Sequence, residues 1–545
     1  MNQLSDIGIY EFVNEPVNFK GAFTLKEKYE DFIVKEITSE GVVTDNFFID
    51  FEKLKETIMY FRQFYNKIEE GTSINSDILC SNIEQVKAFD DKLLDYIANE
   101  EDKNLKFCEI FELKEPSNFK FLTINEKTKE KRKEIHDQSK YHPFYSVKNV
   151  ENNTLEISFD SDKLNTFRCT MKKINRDTIE ACNVIASMLK IPREKICFAG
   201  NKDKRAITYQ EITIEKVRFI DLYKLTFNCY KNNDKITLYN LRKTSLKAKL
   251  GNLIGNRFII RIKPNQESFN EINNVSINNL VEKENIINQL FNNSADDQEA
   301  YQNEAGSEKM TVDEVNSKRM KIQTSANTIY DSKNHKNRLK ELKKERLEKG
   351  FINYFGHQRF GSNMNNHIVG KHLINKEFDQ AFDEIMKIGQ FDSETVKKAK
   401  ELYNSKNFSE AFDSFPLRNK VERCICKGKM KNLEFYKIIK NIQRETIMLY
   451  HHSYQSYKFN IKLSNLVQEA RKSGNLNDLY DKELEIEAEN TKHTKGYTRN
   501  VIKHFKNHNL VHNDDYVEVF FDLDSSTYAT IALRELIGDD VYFCK

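Results

Sequence analysis

The sequence predicts an α/β protein of more than one folding unit. Strand-like stretches recur far apart in the chain, at 32–35, 206–214, 255–263 and 516–523, each with the short-period apolar pattern of a half-buried or buried strand. Helical periodicity lies between them, clearest at 177–190 and through most of 366–510. The chain of 545 residues also exceeds the roughly 250 to 300 residues at which a single core stops growing.

Composition narrows the class. Hydrophobic residues make up 39% and charged residues 31%, which points to folded units carrying polar insertions. The 38 Phe and 24 Tyr exclude disorder of the whole chain. With 86 Lys+Arg against 83 Asp+Glu, any affinity for nucleic acid has to come from clustered charge. The nine cysteines are scattered singly apart from Cys424 and Cys426, a pattern unlike a disulfide framework or a structural zinc site. The first residues carry no basic stretch followed by an apolar one, and no apolar run approaches the roughly 18 residues of a membrane span. The expectation is a monomer in the nucleus and/or cytoplasm, with no membrane partner.

In chain order, residues 19–37 end in a strand in which Phe32 and Val34 alternate with Ile33 and Lys35. From about 45 to 135 the sequence becomes helical and charged, and Val86, Phe89, Leu93, Leu94 and Ile97 recur at helical spacing. Asp177 stands three residues before Glu180, as in a capping box. Ile179, Cys182, Ile185, Met188 and Leu189 follow as the expected buried face of that helix, which Pro192 stops. A short apolar run, Ile196–Ala199, then leads into the polar loop Gly200–Arg205 and a strand. Residues 265–293 hold ten Asn, 294–314 hold seven acids against one base, and 336–349 hold seven bases against three acids. Such blocks read as a solvated insertion.

Three clusters and one histidine row could carry chemistry. The loop Ala199–Gln210 sets one carboxylate, Asp203, among Lys202, Lys204 and Arg205, so an anionic nucleophile and cations for phosphate share one segment. Taken alone it reads as a solvated turn between strands. In Gly255–Lys263, Phe258 lies beside Arg257 and Arg261, an aromatic that can stack a base or fill a core. Gly350–Asn363 packs Phe351, Tyr354, Phe355 and Phe360 around Gln358 and Arg359, which fits a buried, tightly turned loop. His504, His508 and His512 are four apart. On a helix they would share a face, but a solvated face is expected rather than a metal site. No Rossmann or P-loop fingerprint is present, and no cofactor is expected.

Taken in order, these clusters resemble the TruD family of pseudouridine synthases, most of all its eukaryotic branch. The resemblance runs through LKEKYEDFIVKEI near the start, KRKEIH at 131–136, KKINRDT at 172–178, AGNKDKRAITYQ, GNRFIIRIK, GFINYFGHQRFG, YQSYKFN at 454–460 and YATIALREL at 528–536. It implies a catalytic α/β (α+β) domain on a mixed, mainly antiparallel sheet, interrupted by a helical TRUD domain. The corresponding parts are 1–37 and 132–264 (catalytic), 38–131 (charged helical insertion), 265–345 (low-complexity insertion), 346–365 (catalytic loop), 366–510 (TRUD domain) and 511–545 (catalytic).

The resemblance also implies an RNA substrate, tRNA first of all, with small nuclear or messenger RNA also within the family's range. Asp203 matches the nucleophile. Phe258 is implied as the stacking platform for uracil, Asn256 as the residue that orients the Asp loop, and Lys26 and Phe521 as pocket wall. Arg205 and Gln210 brace the loop, Lys202 faces the substrate, and Asn353, Gln358 and Arg359 shape the surroundings. Two departures stand out: Leu523–Ser526 replaces the usual L-P-x-G turn, and Phe459 replaces a usual Trp. The rival expectation is a non-catalytic RNA-binding relative of the same fold.

Overall fold

The computed structural model describes residues 4–14, 23–44, 51–69, 78–80, 82–98, 119–160, 164–231, 235–264, 339, 342–489, 491, 493–538 and 541–543. They fall into two compact units, Leu25–Arg261 and Met1–Thr24 with Ile262–Phe543.

The first unit is built on a sheet of β1 (Phe32–Thr38), β2 (Asn165–Ile174), β3 (Ile196–Phe198), β4 (Ile207–Val217), β5 (Ile236–Lys243) and β6 (Leu253–Pro264), the last of which runs on past Arg261 into the second unit's sequence. Its order is β5-β2-β4-β1-β6, with β3 also on β4. All pairs are antiparallel except β1 with β4, which run parallel from Ile33↔Ile207 to Lys35↔Tyr209. This is the mixed, mainly antiparallel sheet expected. Phe32, Val34, Glu36 and Thr38 form the buried side of β1, and Glu36 is the one charge among them. On one edge of β4, residues 207–209 pair with β1 while 212–214 pair with β3. The Asp203 loop joins β3 to β4 and so sits where that edge changes partner.

The helices α1 (Phe51–Glu69), α2 (Ile83–Ala98) and α3 (Thr178–Met188) belong to the same unit. Leu54, Ile58 and Phe61 of α1 and Val86 and Leu93 of α2 enter the core that holds Phe121, Tyr145, Phe159, Met171 and Ile212. Phe89 and Leu94 pack against it, while the Ile97 side chain lies outside the described residues. Residues 78–80, 119–125, 154–159 and 145–149 form a second, four-stranded antiparallel sheet in that order. The charged region around 38–131 therefore supplies strands and core as well as helices. Asp90 of α2 is fully buried, accepts a hydrogen bond from Tyr145 Oη at 2.6 Å and lies 3.3 Å from His142 Nε2.

For α3 the capping residue is as expected, the box with Glu180 does not form, and the expected face is met in part, at Cys182 and Ile185. Asp177 accepts from the Ile179 N–H at 2.8 Å, whereas Glu180 pairs with Arg176. Ala181, Cys182, Ile185 and Ala186 are buried, and Ile179 and Met188 are about half exposed. The helix thus meets the core through Ile185 and three small residues.

In the second unit, short helices between Asn366 and Lys440 pack with the first part of α4 (Arg444–Ser473) around Val369, Phe382, Ile425, Ile438 and Tyr450. Gly370 allows the closest approach, because a Cβ there would lie 2.0 Å from the Tyr450 carbonyl oxygen. Beyond α4 the chain turns to strands, Glu483–Ile486 with Tyr497–Asn500 and Lys506–His512 with Val517–Asp524. The last of these corrects the helical reading of the histidine row. His508 and His512 lie on an exposed or half-exposed strand, and His504 stacks on Tyr480 at 5.5 Å. Ser526 holds φ +64°, the left-handed conformation that glycine adopts most easily, in place of the family's turn glycine. Phe459 is buried edge-on to Phe355 at 5.5 Å.

Residues 265–338 lie outside the described residues. Leu339, Leu342 and Leu347 are buried, and Arg346 donates to the Glu535 carbonyl at 2.6 Å. Leu339 and Leu342, which the expected insertion 265–345 includes, are thus core residues. Deleting 265–338 behind a short Gly/Ser bridge should lower stability by less than about 1 kcal/mol, since loop-closure entropy changes slowly with length. A melting curve checks this, and extending the deletion to 345 should be clearly worse because it removes two buried leucines.

Candidate active site

The site grows from the loop between β3 and β4. Gln210 on β4 is fully buried and donates to the Gly200 carbonyl at 3.1 Å. Its side-chain oxygen accepts from Thr178 Oγ1 at 3.0 Å, and Thr178 Oγ1 in turn accepts from the Lys202 N–H at 3.1 Å. Lys173 on β2 donates to the carbonyls of Arg176 at 2.9 Å, Lys202 at 3.3 Å and Asp203 at 2.7 Å. Burial lowers its pKa to about 8, against the pull of Asp203 and Asp177. The loop backbone is therefore held by side chains from two strands and the start of α3.

Lys202 is turned into the core. Its ammonium lies 2.8 Å from Glu36 Oε2, with 4% and 1% of the two side chains exposed. Burial pushes the Glu36 carboxyl above the ordinary carboxylate range, and Lys202 opposes that rise. Asn256 sits opposite Glu36 in the β1–β6 register, and its buried side-chain oxygen has no hydrogen-bond partner among the described residues. The sequence offered Lys202 as a phosphate contact. A glutamate 166 positions earlier in the chain occupies it instead.

Removing one member of such a pair strands the other charge in the core, at a penalty of about 3 to 5 kcal/mol. Lys202→Met should lose that much stability near neutral pH by denaturant titration. Without the lysine, the folded state holds the Glu36 proton more tightly than the unfolded chain does. The deficit should therefore shrink as pH falls toward the unfolded carboxylate value and be fullest above the raised folded one.

The Asp203 side chain points the other way and is 19% exposed, with Oδ1 3.1 Å from Lys26 Nζ. That ammonium also lies 3.8 Å from the centre of the Phe32 ring, a cation–π contact. Phe32 meets Phe258 edge-on at 6.1 Å, so the two rings form an apolar support behind Lys26. Phe258 is only 5% exposed. Lys26 has φ +58°, an unfavourable conformation for a side chain of its length. Arg205 fixes that turn by donating to the carbonyls of Lys26 at 3.0 Å and Glu27 at 3.3 Å. Tyr29 accepts from the Asn175 amide at 2.8 Å. Lys204 is exposed.

Asp203, Lys26, Arg205, Gln210, Lys202, Phe258 and Asn256 thus belong to one unit. Phe521, Gln358, Arg359 and Asn353 belong to the other. There Phe521 is buried edge-on to Phe505 at 5.1 Å, Gln358 is exposed and Arg359 is half-buried over Phe355. Asn353 is buried, donates to the Asn500 carbonyl at 3.0 Å and accepts from Arg499 at 2.6 Å. Burial lowers the Arg499 pKa to about 10. Sequence reading gave no role to Lys173, Thr178 or Glu36, although the first two lie in the KKINRDT stretch. Among the described residues, no three His, Cys, Asp or Glu side chains are grouped to hold a metal ion, and no helix is long and apolar enough to cross a membrane.

The family described as tRNA pseudouridine synthase D (TruD) matches residues 140–293 and 309–481. The pseudouridylate synthase 7 homolog of Bos taurus is 26% identical over 490 residues, covering 85% of this chain and 58% of that protein. A probable tRNA pseudouridine synthase D of Methanococcus aeolicus is 24% identical over 408 residues, covering 68% of this chain and 85% of that one. The chain thus spans little more than half the length of its mammalian relatives. The crystal structure of a putative tRNA pseudouridine synthase D from Methanosarcina mazei aligns over 98% of this chain and 97% of its own with a TM-score of 0.44 at 16% identity.

Proposed function

The chain belongs to the tRNA pseudouridine synthase D family, and on that premise we propose that it isomerises uridine to pseudouridine in RNA, with tRNA as its main substrate and Asp203 as its nucleophile. The observation that supports this most is the partly exposed Asp203 carboxylate, paired with Lys26 at 3.1 Å on a loop whose backbone is pinned from beneath.

The reaction asks little more. One oxygen of Asp203 attacks C1′ of the ribose as the C1′–N1 bond breaks, and the electron pair of that bond leaves on the uracil. The detached base turns until C5 faces C1′. The new C5–C1′ bond forms, the carboxylate leaves, C5 gives up its proton and N1 takes one up. Atoms and electrons balance within the nucleotide. Lys26 first balances the carboxylate and then meets the charge that appears on the departing uracil. A uridine stacked in a helix cannot bring C1′ to Asp203, so unpaired or distorted sites are the natural targets. The same chemistry extends to small nuclear or messenger RNA with such uridines. Asn256 is assigned to orienting the loop, and Gln358 and Arg359 to contacting the RNA.

Phe258 carries two roles under this reading, support for Lys26 through Phe32 and a partner for uracil once RNA opens the site. Phe258→Ala should lower stability by about 3 to 5 kcal/mol in a thermal melt. It should also slow turnover far more than it weakens tRNA binding, which rests mainly on phosphate contacts. The proposal as a whole is tested by pseudouridine maps of RNA from cells with and without the protein. Defined tRNA positions should revert to uridine, and identical maps would refute the assignment.

A further inference from the structure

Lys173 is fully buried on β2, opposite Thr208 of β4 and Ile236 of β5. An ammonium has three N–H donors and no acceptor, and this one meets three backbone carbonyls: Arg176, Lys202 and Asp203. No donor is left for a ligand. The Lys202 carbonyl belongs to the peptide group before Asp203, and the Asp203 carbonyl to the one after it. Both peptide planes that flank the nucleophile are therefore held by one cation, and with them the direction in which its side chain leaves the backbone.

We propose that Lys173 is a positioning residue for the isomerisation, fixing the backbone of Asp203 so that its carboxylate stays aimed at Lys26 and the ribose. The inference rests on the function proposed above. Two lysines thus bracket residue 203: Lys26 on the carboxylate and Lys173 on the backbone. A purely structural side chain at this place would not need its charge, because an apolar residue on the same strand avoids the penalty of burying an ammonium. What an apolar residue cannot do is tie three carbonyls to one point.

Lys173→Met and Lys173→Arg test this in the full chain, each checked by melting. Hydrogen–deuterium exchange of the peptide covering 199–206 reads loop order. Steady-state pseudouridine formation on transcribed tRNA reads kcat and KM. In the Met variant, loop exchange should rise about tenfold and kcat fall about 100-fold, the usual effect of a displacement near 1 Å. KM should stay within about threefold, since Lys173 does not reach the RNA. The Arg variant should recover part of both changes. Unchanged kcat in a folded Met variant, or a KM increase that accounts for the whole loss, would overturn the proposal. If the Met variant does not fold, the Arg variant decides. Its kcat should fall as its loop exchange rises, and a change in either one without the other would overturn the assignment. A wild-type protein that modifies no RNA would sink the functional reading, while the exchange data would still report separately whether Lys173 holds the loop.

Discussion

Asp203→Asn should reduce pseudouridine formation by about four orders of magnitude or more, the scale seen when a covalent nucleophile is removed. The substitution preserves size and most hydrogen bonding but deletes the anionic oxygen that attacks C1′. The pinned loop does not depend on that oxygen, because its anchors are backbone groups of residues 200, 202 and 203. The variant should therefore stay folded in a melting curve, with some loss of stability because Lys26, 12% exposed, gives up its partner. RNA affinity at low salt should hold or rise slightly, since one negative charge leaves a site that must accept a polyanion. Carbodiimide detection of pseudouridine beside a filter-binding titration at two salt concentrations separates the two readouts. An Asn variant that turned over at the wild-type rate would end the nucleophile assignment.

Lys26→Met should cost about 100- to 1,000-fold in kcat, the range for removing one fixed charge from a site where charge develops. Met keeps the unbranched side chain, so the contact with the Phe32 ring persists while the ammonium is lost. The backbone turn at φ +58° should also persist, because Arg205 holds it through main-chain carbonyls. Little stability should therefore be lost. A drop in kcat matched by unfolding would instead make Lys26 a structural residue.

The site was readable in part from the sequence, and the parts that were not share a cause. Taken alone, the loop carrying Asp203 reads as a solvated turn, and only the family resemblance implied its role and that of Arg205 and Gln210 as braces. Lys202 looked like a phosphate contact because its neighbours were visible and its true partner, Glu36, was not. The link between them is set by the parallel pairing of β1 with β4, which no local pattern reveals. Lys173 was hidden for the same reason, since its partners are carbonyls that acquire meaning only once the loop is folded over β2. In α3 the capping aspartate and the buried Cys182 and Ile185 were legible, but Ala181 and Ala186 were missed because alanines count for little in a hydrophobic pattern. The histidine row is solvent-facing as expected but is not helical. Spacing by four suits a helix, yet the same interval also places residues on one side of a strand, and Lys506–His512 is a strand.

The most direct measurement follows the hydrogen at C5. Because the new bond to C1′ forms at C5, tRNA carrying tritium on C5 of its uridines should release tritium to water in step with pseudouridine formed, and no free uracil should appear. The account predicts that release with the wild-type protein and none above background with Asp203→Asn. Wild-type protein that released no tritium from any RNA, or that released free uracil instead, would contradict it.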